Sequence, residues 1–299
     1  MKPIKTIAFV GLGNMGVPMA VHLATRGFGL MLFDRRSDAV SAFAAKHGGR
    51  AAATPADAAR DADIAITMLP DDSAVREVVL GPDGLAAGLA PGATIIDMGT
   101  SDPRATKEIG AELAKRKIAY VDAPVMGGVV FARDATLDVM AGGSDEDIDR
   151  CMPVLTAIGR QVFRCGGPGS GHTLKALAIY VNAGALVNLI EALAIGRKFG
   201  LDSKIMANAM VHMCAGRQHP LEKKVIPQVL THKFATGMAL GLIAKDVSIA
   251  AKFGHSIGAM TPLADRVCEI WGKAEAEIGG GADHTEVARL WEQGNGVRL

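Results

Sequence analysis

Residues 11–16 read Gly-Leu-Gly-Asn-Met-Gly, directly after the apolar run Thr6–Val10 and directly before a helical pattern near Val17–Arg26. No other feature narrows the fold as much. Gly11 permits a tight turn, Gly13 lets a ligand approach the backbone, and Gly16 lets helix and strand pack closely. The helix start then offers unpaired N–H groups that suit a phosphate. A second apolar run, Gly29–Phe33, ends on Asp34, where a carboxylate can accept the hydroxyls of an adenosine ribose. In this context the loop predicts a dinucleotide site built from Gly11, Leu12, Gly13, Asn14, Met15, Gly16 and Asp34. Asp34 repels a 2′-phosphate and so favours NAD. Arg35 and Arg36 follow it and suit that phosphate, which leaves NADP possible.

Short apolar runs alternate with helical patterns through the first half of the chain. The predicted strands are Thr6–Val10, Gly29–Phe33, Ile64–Met68, Thr94–Asp97 and Ile118–Val121, with Leu137–Ala141 and Gln161–Arg164 as further edge strands. Helical patterns near Val17–Arg26, Asp38–Lys46, Ala74–Val79 and Pro103–Lys115 lie between them. Such alternation implies a parallel sheet with crossover helices. The pattern changes at the glycine cluster Cys165–Gly171, which opens a long helix through Phe199. Beyond it nearly everything reads as helix: Ser203–Met213, Leu221–Leu230, Ala239–Phe253, Pro262–Glu277 and His284–Glu292. The predicted class is α/β. A Rossmann domain with a doubly wound, mostly parallel sheet spans 1–165, and an all-helical C-terminal domain spans 166–299, opened by a long interdomain helix over 168–199.

Several function classes are disfavoured. The net charge of +1 and an aromatic content of 4% provide neither a basic stripe nor stacking platforms, so no nucleic-acid partner is expected. The apolar stretch Thr173–Ile195 contains Lys175, Asn182, Asn188 and Glu191, which are costly in hydrocarbon; a long buried helix is the preferred reading, and no membrane partner is expected. The run Ile7–Val10 is too short for a signal peptide, and the four cysteines form no C-x-x-C pair. Reduced thiols and a cytoplasmic location are therefore expected. The eight histidines have no metal-site spacing, so no metal is expected.

Further motifs occur in order: Met68-Leu-Pro70, Asp97-Met-Gly-Thr-Ser-Asp-Pro103, Asp122-Ala-Pro-Val-Met-Gly-Gly128, Thr136–Gly143, Gly169-x-Gly-x-x-x-Lys175, Glu191-Ala-Leu and Lys245-Asp246. With the glycine loop, they make the chain resemble the β-hydroxyacid dehydrogenases, the group that includes 3-hydroxyisobutyrate dehydrogenase and tartronate semialdehyde reductase, over essentially its whole length. The resemblance implies that Leu69, Pro70 and Thr100 line the nicotinamide side of the cofactor and that Lys245 closes over it. It also implies that Gly127 and Gly128 present backbone to the substrate carboxylate and that Lys175 is catalytic. The expected partner is a small hydroxyacid or its semialdehyde, and the expected assembly a homodimer or homotetramer.

Two positions depart from the family pattern. Met126 stands where the loop usually has serine, and Ala178-Ile179 where the helix usually has a pair of asparagines. Both sit at the expected substrate site, with Met126 offering its backbone N–H and an adaptable apolar wall. His172, three residues before Lys175 on the same helical face, either replaces a lost polar contact or is structural. Arg217 either pairs with an acidic substrate group or lies on the surface.

Lys175 is expected to exchange a proton with the substrate hydroxyl, with burial and a nearby oxidised nicotinamide lowering its pKa from the usual value near 10.4. The alternatives are an imine reductase, a related architecture that usually lacks this lysine, and a catalytically silent cofactor-binding scaffold.

Overall fold

The computed structural model describes residues 3–215, 220–234 and 238–299. Arg217 lies outside the described residues. The chain divides into two compact units, Met1–Tyr180 and Val181–Leu299.

The first unit is a doubly wound sheet. Its strands are β1 (Thr6–Val10), β2 (Gly29–Phe33), β3 (Arg50–Ala51), β4 (Ile64–Thr67), β5 (Thr94–Asp97), β6 (Ala119–Asp122), β7 (Val125–Met126), β8 (Leu137–Gly142) and β9 (Gly159–Gly166). They lie in the order β3-β2-β1-β4-β5-β6-β8-β7, with β9 also on β8. Every pair from β3 to β6 is parallel. β8 runs antiparallel to β6 and β7, and β9 parallel to β8 with two register shifts.

The strands show why the sheet is covered on both sides. Successive side chains point to opposite faces. Ile7, Phe9, Ile64, Ile66, Ile96 and Val121 pack on one face, with Met19, Leu23, Val40, Phe43 and Val154 from helices α1 (Gly16–Thr25), α2 (Ser37–His47) and α8 (Asp145–Ile158). Ala8, Val10, Ala65, Ile95 and Tyr120 pack on the other, with Ala58, Val75, Val79, Leu85, Ile109 and Leu113 from α3 (Pro55–Ala59), α4 (Asp72–Leu80), α5 (Leu85–Gly88) and α6 (Pro103–Ala114). A short helix, α7 (Gly128–Arg133), follows β7.

The strand expected at the edge over Leu137–Ala141 is instead the interior strand β8, bonded to β6, β7 and β9. Leu137, Val139 and Ala141, which share one face of the strand, are fully buried. The sequence reading also passed over α8, whose start is capped by Ser144 accepting the Asp147 N–H and whose interior holds Pro153.

The long helix α9 spans Ser170–Phe199. The first unit carries its opening turns, because residues of the sheet bond to them. The second unit is helical: α10 (Ser203–Met210), α11 (Leu240–Ser256), α12 (Pro262–Ile278) and α13 (Ala288–Asn295), with π-helical segments at Val211–Ala215 and Leu221–Val229 and a 3₁₀ turn at His284–Val287. The Glu191 carboxylate of α9 accepts the Leu263 and Ala264 N–H groups at 3.0 and 2.8 Å, capping the start of α12.

The expectation of a buried α9 does not hold for the single chain. Every residue from Val181 to Ile190 is exposed, including Leu186 at 59%, Val187 at 51% and Ile190 at 56%. By length and composition alone the helix could cross a membrane. Single-chain burial is therefore not what makes it apolar.

Candidate active site

The parallel strands bring their C-terminal ends to one edge of the sheet, and the order reverses between β1 and β4. A ligand crevice forms at such a switch point. Gly11 follows β1 with φ +101°; a Cβ there would stand 2.3 Å from the Met68 carbonyl oxygen. At Gly16 a Cβ would stand 1.9 Å from the Gly11 oxygen, whereas at Gly13 it would meet nothing within 4 Å. The first and last glycines therefore let backbone pack on backbone, and the middle one faces open space. No side chain caps the N-terminus of α1, and its first turn has no acidic residue. Leu12 is buried, while Asn14 is exposed and Met15 half-buried at the turn.

A cavity of about 450 Å³ adjoins this loop, lined by Gly11, Gly13, Asp34, Arg35, Leu69 and Pro70 among others. Asp34 is held at its end. Its carboxylate accepts the Leu12 N–H at 2.7 Å, the Arg36 N–H at 2.9 Å and Arg36 Nε at 3.2 Å. Burial pushes this carboxyl up, but the bonds from Arg36 and Leu12 outweigh it and hold the pKa below the usual value. The Arg36 guanidinium also donates to the Leu12 carbonyl at 3.1 Å, so it is engaged with the loop. These residues fit a dinucleotide: an uncapped helix start for the pyrophosphate and a fixed carboxylate for the ribose.

The rest of the site lies along the same strand ends. Leu69 and Pro70 follow β4, and Thr100, which follows β5, is exposed. Met126, half-buried, ends β7; Gly127 and Gly128 follow with φ of +127° and +72°. Gly127 leaves room for the Phe131 ring, whose Cγ would lie 2.7 Å from an added Cβ; Gly128 opens onto space. Lys175, one turn into α9, is 8% exposed. Its Nζ donates to the Val125 carbonyl at 2.5 Å and lies 3.6 Å from Met126 Sδ. Burial lowers its pKa from the ordinary lysine value. An amine with one carbonyl and one thioether for neighbours holds its charge poorly, which suits a proton-transfer group.

His172 does not line a substrate surface. Its ring is fully buried, with Nδ1 2.7 Å from Thr106 Oγ1, so the structural alternative applies. Ile179 is 46% exposed on α9. Lys245 belongs to the second unit, where it is exposed and pairs with Asp246 at 3.0 Å.

Sequence reasoning gave no role to a buried polar cluster beneath the site. The Asp97 carboxylate accepts from Thr67 Oγ1 at 3.0 Å, Gly99 N at 3.2 Å, Ser101 Oγ at 3.1 Å and Tyr120 OH at 3.2 Å. Burial first, and the Asp97 charge next, push the Tyr120 phenol well above its usual pKa. Asp122, paired with Asp97 across β5 and β6, bonds to the start of α9. The available signal was an aspartate closing each of two mostly apolar strands.

Comparison with known proteins agrees with this geometry. Residues 6–167 match the family described as the NAD binding domain of 6-phosphogluconate dehydrogenase. Residues 169–291 match that described as the NAD-binding domain of NADP-dependent 3-hydroxyisobutyrate dehydrogenase. The chain is 33% identical to 2-(hydroxymethyl)glutarate dehydrogenase of Eubacterium barkeri, covering 100% of this chain and 98% of that protein. Among solved structures, Mycobacterium tuberculosis 3-hydroxyisobutyrate dehydrogenase with L-serine is 29% identical with a TM-score of 0.67, covering 97% of this chain and 99% of that one. The V8 variant of an imine reductase from Myxococcus stipitatus has a TM-score of 0.84 at 18% identity, covering 97% of this chain and 100% of that one, and shares the fold alone. With both halves matched and the glycine loop, the buried lysine and the strand-end site in place, the chain belongs to the β-hydroxyacid dehydrogenase family of NAD-dependent oxidoreductases.

Proposed function

We propose that this protein oxidises a short 3-hydroxyacid to its semialdehyde, or runs the reverse reaction, with Lys175 as general acid and base. The observation that carries this is the desolvated Lys175 amine, held by the Val125 carbonyl beside the glycine-rich 126–128 loop. The bound nicotinamide would accept or supply the hydride. The Gly11–Gly16 loop and the α1 start hold the pyrophosphate, Asp34 the ribose, and Leu69, Pro70 and Thr100 flank the reactive end. In oxidation Lys175 Nζ, as free amine, takes the hydroxyl proton; in reduction, as ammonium, it returns that proton to the carbonyl oxygen. The Gly127–Gly128 backbone supports a carboxylate. NAD is the preferred cofactor because the Arg36 guanidinium is committed to Asp34 and the Leu12 carbonyl.

Met126 bears on which hydroxyacid is used. Its thioether lies 3.6 Å from the reactive amine, so the substituent next to the reacting carbon meets an apolar wall. The proposed substrates therefore carry an alkyl or larger group. The apolar face of α9, exposed over Val181–Ile190, supports a homodimer or homotetramer in which a second copy covers it. The unpaired thiols support a cytoplasmic location.

A screen of 3-hydroxyacids with graded substituents against NAD and NADP, with cyclic imines run in parallel, tests the proposal. Turnover of an alkyl-substituted hydroxyacid is expected. Imine reduction without hydroxyacid oxidation would refute it.

A further inference from the structure

The start of α9 is fastened by a carboxylate from a distant part of the chain. Asp122, the last residue of β6, accepts the Gly169 N–H through Oδ1 and the His172 N–H through Oδ2, each at 2.8 Å. A helix leaves its first amide donors unpaired, and a neighbouring side chain usually caps them. Here the cap comes from 47 and 50 residues earlier in sequence. The backbones are pressed together around it. A Cβ at Gly142 would lie 2.6 Å from Asp122 Oδ1, and one at Gly171 would lie 2.9 Å from Asp122 Oδ2 and 2.2 Å from the Met140 oxygen. A second tie runs through the buried His172 ring, whose Nδ1 is bonded to Thr106 Oγ1 of α6 at 2.7 Å. Its Nε2 has no hydrogen-bond partner and stands 3.7 Å from Asp97 Oδ2.

Lys175 follows three residues after His172, and its amine returns to Val125, three residues after Asp122. The segment 122–126 therefore holds both the root of the helix and the tip of its lysine. We infer that Asp122 is a positioning residue for Lys175, fixing the turn of α9 that sets where the amine sits, with the His172–Thr106 contact as its second support. This rests on Lys175 being the proton-transfer group.

The sign of a pH effect separates positioning from simple electrostatics. The titratable groups around the joint are Asp97 of β5, Tyr120 and Asp122 of β6, Lys107 of α6, Cys165 of β9 and His172 of α9. Deleting a nearby negative charge would by itself disfavour the ammonium and move the Lys175 titration down. Loosening the turn returns water to the amine and moves that titration up, toward an ordinary lysine. A residue that only supports the fold would reduce stability and the active fraction while leaving the titration in place.

The test uses Asp122→Asn and Thr106→Val in the full chain, with Lys175→Ala alongside. Readouts are kcat, KM and NAD affinity, plus the pH at which hydroxyacid oxidation is half-risen. Asp122→Asn keeps the volume but turns an amide N–H toward one of the two donors. NAD affinity should stay within about twofold, and kcat should fall by roughly 30- to 100-fold, since a displacement near 1 Å has that scale of effect. The half-rise should move to higher pH. Thr106→Val changes no charge and should lose roughly three- to tenfold in kcat with the half-rise moving the same way. An unchanged or lowered half-rise in folded Asp122→Asn overturns the inference. If that variant does not fold, an unmoved half-rise in Thr106→Val overturns it. Lost turnover in Lys175→Ala together with wild-type behaviour of Asp122→Asn rejects the positioning role alone. Retained turnover in Lys175→Ala rejects the reading of the lysine itself.

Discussion

Gly13 and Gly16 stand three residues apart in one loop, yet alanine should act on them in opposite ways. At Gly16 the new methyl would be 1.9 Å from the Gly11 carbonyl oxygen and 3.0 Å from its carbon. Carbon–oxygen contacts settle near 3.3 Å or more, so backbone must yield by over an ångström, and overpacking of this kind costs about 1–3 kcal/mol or more. For a unit of this size each kcal/mol lowers Tm by about 2–4 °C, which predicts a fall of roughly 2–12 °C. At Gly13 the methyl meets no heavy atom within 4 Å and φ lies outside the left-handed region, so Tm should stay within about 2 °C of wild type. The Gly13 methyl would instead enter the space through which a pyrophosphate reaches the backbone. Losing one hydrogen bond to a charged group costs about 1.5–3 kcal/mol, which weakens NAD roughly 10- to 100-fold. Thermal melts and calorimetric NAD titrations of the two variants read both effects. Wild-type NAD affinity in Gly13→Ala, or a wild-type melt in Gly16→Ala, would refute this account of the loop.

Three further outcomes are expected. Met126→Ser should raise kcat/KM for small polar 3-hydroxyacids relative to branched alkyl ones by about tenfold, the scale of a one-group change in a pocket; an unchanged ratio would show that the thioether does not touch substrate. Asp34→Ala should weaken NAD by about tenfold and leave NADP binding no weaker, since the ribose acceptor goes while Arg36 is released; parallel titrations with the two cofactors decide. Introducing Val187→Glu and Ile190→Glu into α9 should convert an oligomer to a smaller species in light scattering, because a buried unpaired carboxylate is strongly unfavourable at an apolar interface; an oligomer of unchanged mass would place the contact elsewhere.

Much of this architecture could be read from local pattern. β1 and β2 were predicted at their observed bounds because continuous apolar runs end abruptly in turn residues. The glycine loop was readable because each glycine answers a separate steric need, which the backbone distances at Gly11, Gly13 and Gly16 show. What local pattern missed depends on partners distant in the chain. β3 and β7 are two residues long and exist only as additions to β2 and β8. The apolar character of α9 suggested burial within the chain, but hydrophobicity does not specify which molecule covers it. His172 shares a helical face with Lys175, and spacing alone did not show that Thr106 and the strand carboxylates enclose it. Asp122 ends an apolar strand like many aspartates; its bonds to Gly169 and His172 emerge only once α9 is laid against the sheet.

The central claim concerns the amine of Lys175, and Lys175→Ala tests it most directly when its pH–rate profile and NAD affinity are measured beside those of the parent enzyme. Burial lowers the lysine pKa, so the parent should reach half its maximal oxidation rate at a pH below that of an ordinary lysine. The variant should bind NAD normally, lose on the order of a hundredfold or more in kcat, and no longer show that rise. A variant that retains kcat and the same pH dependence would contradict the account.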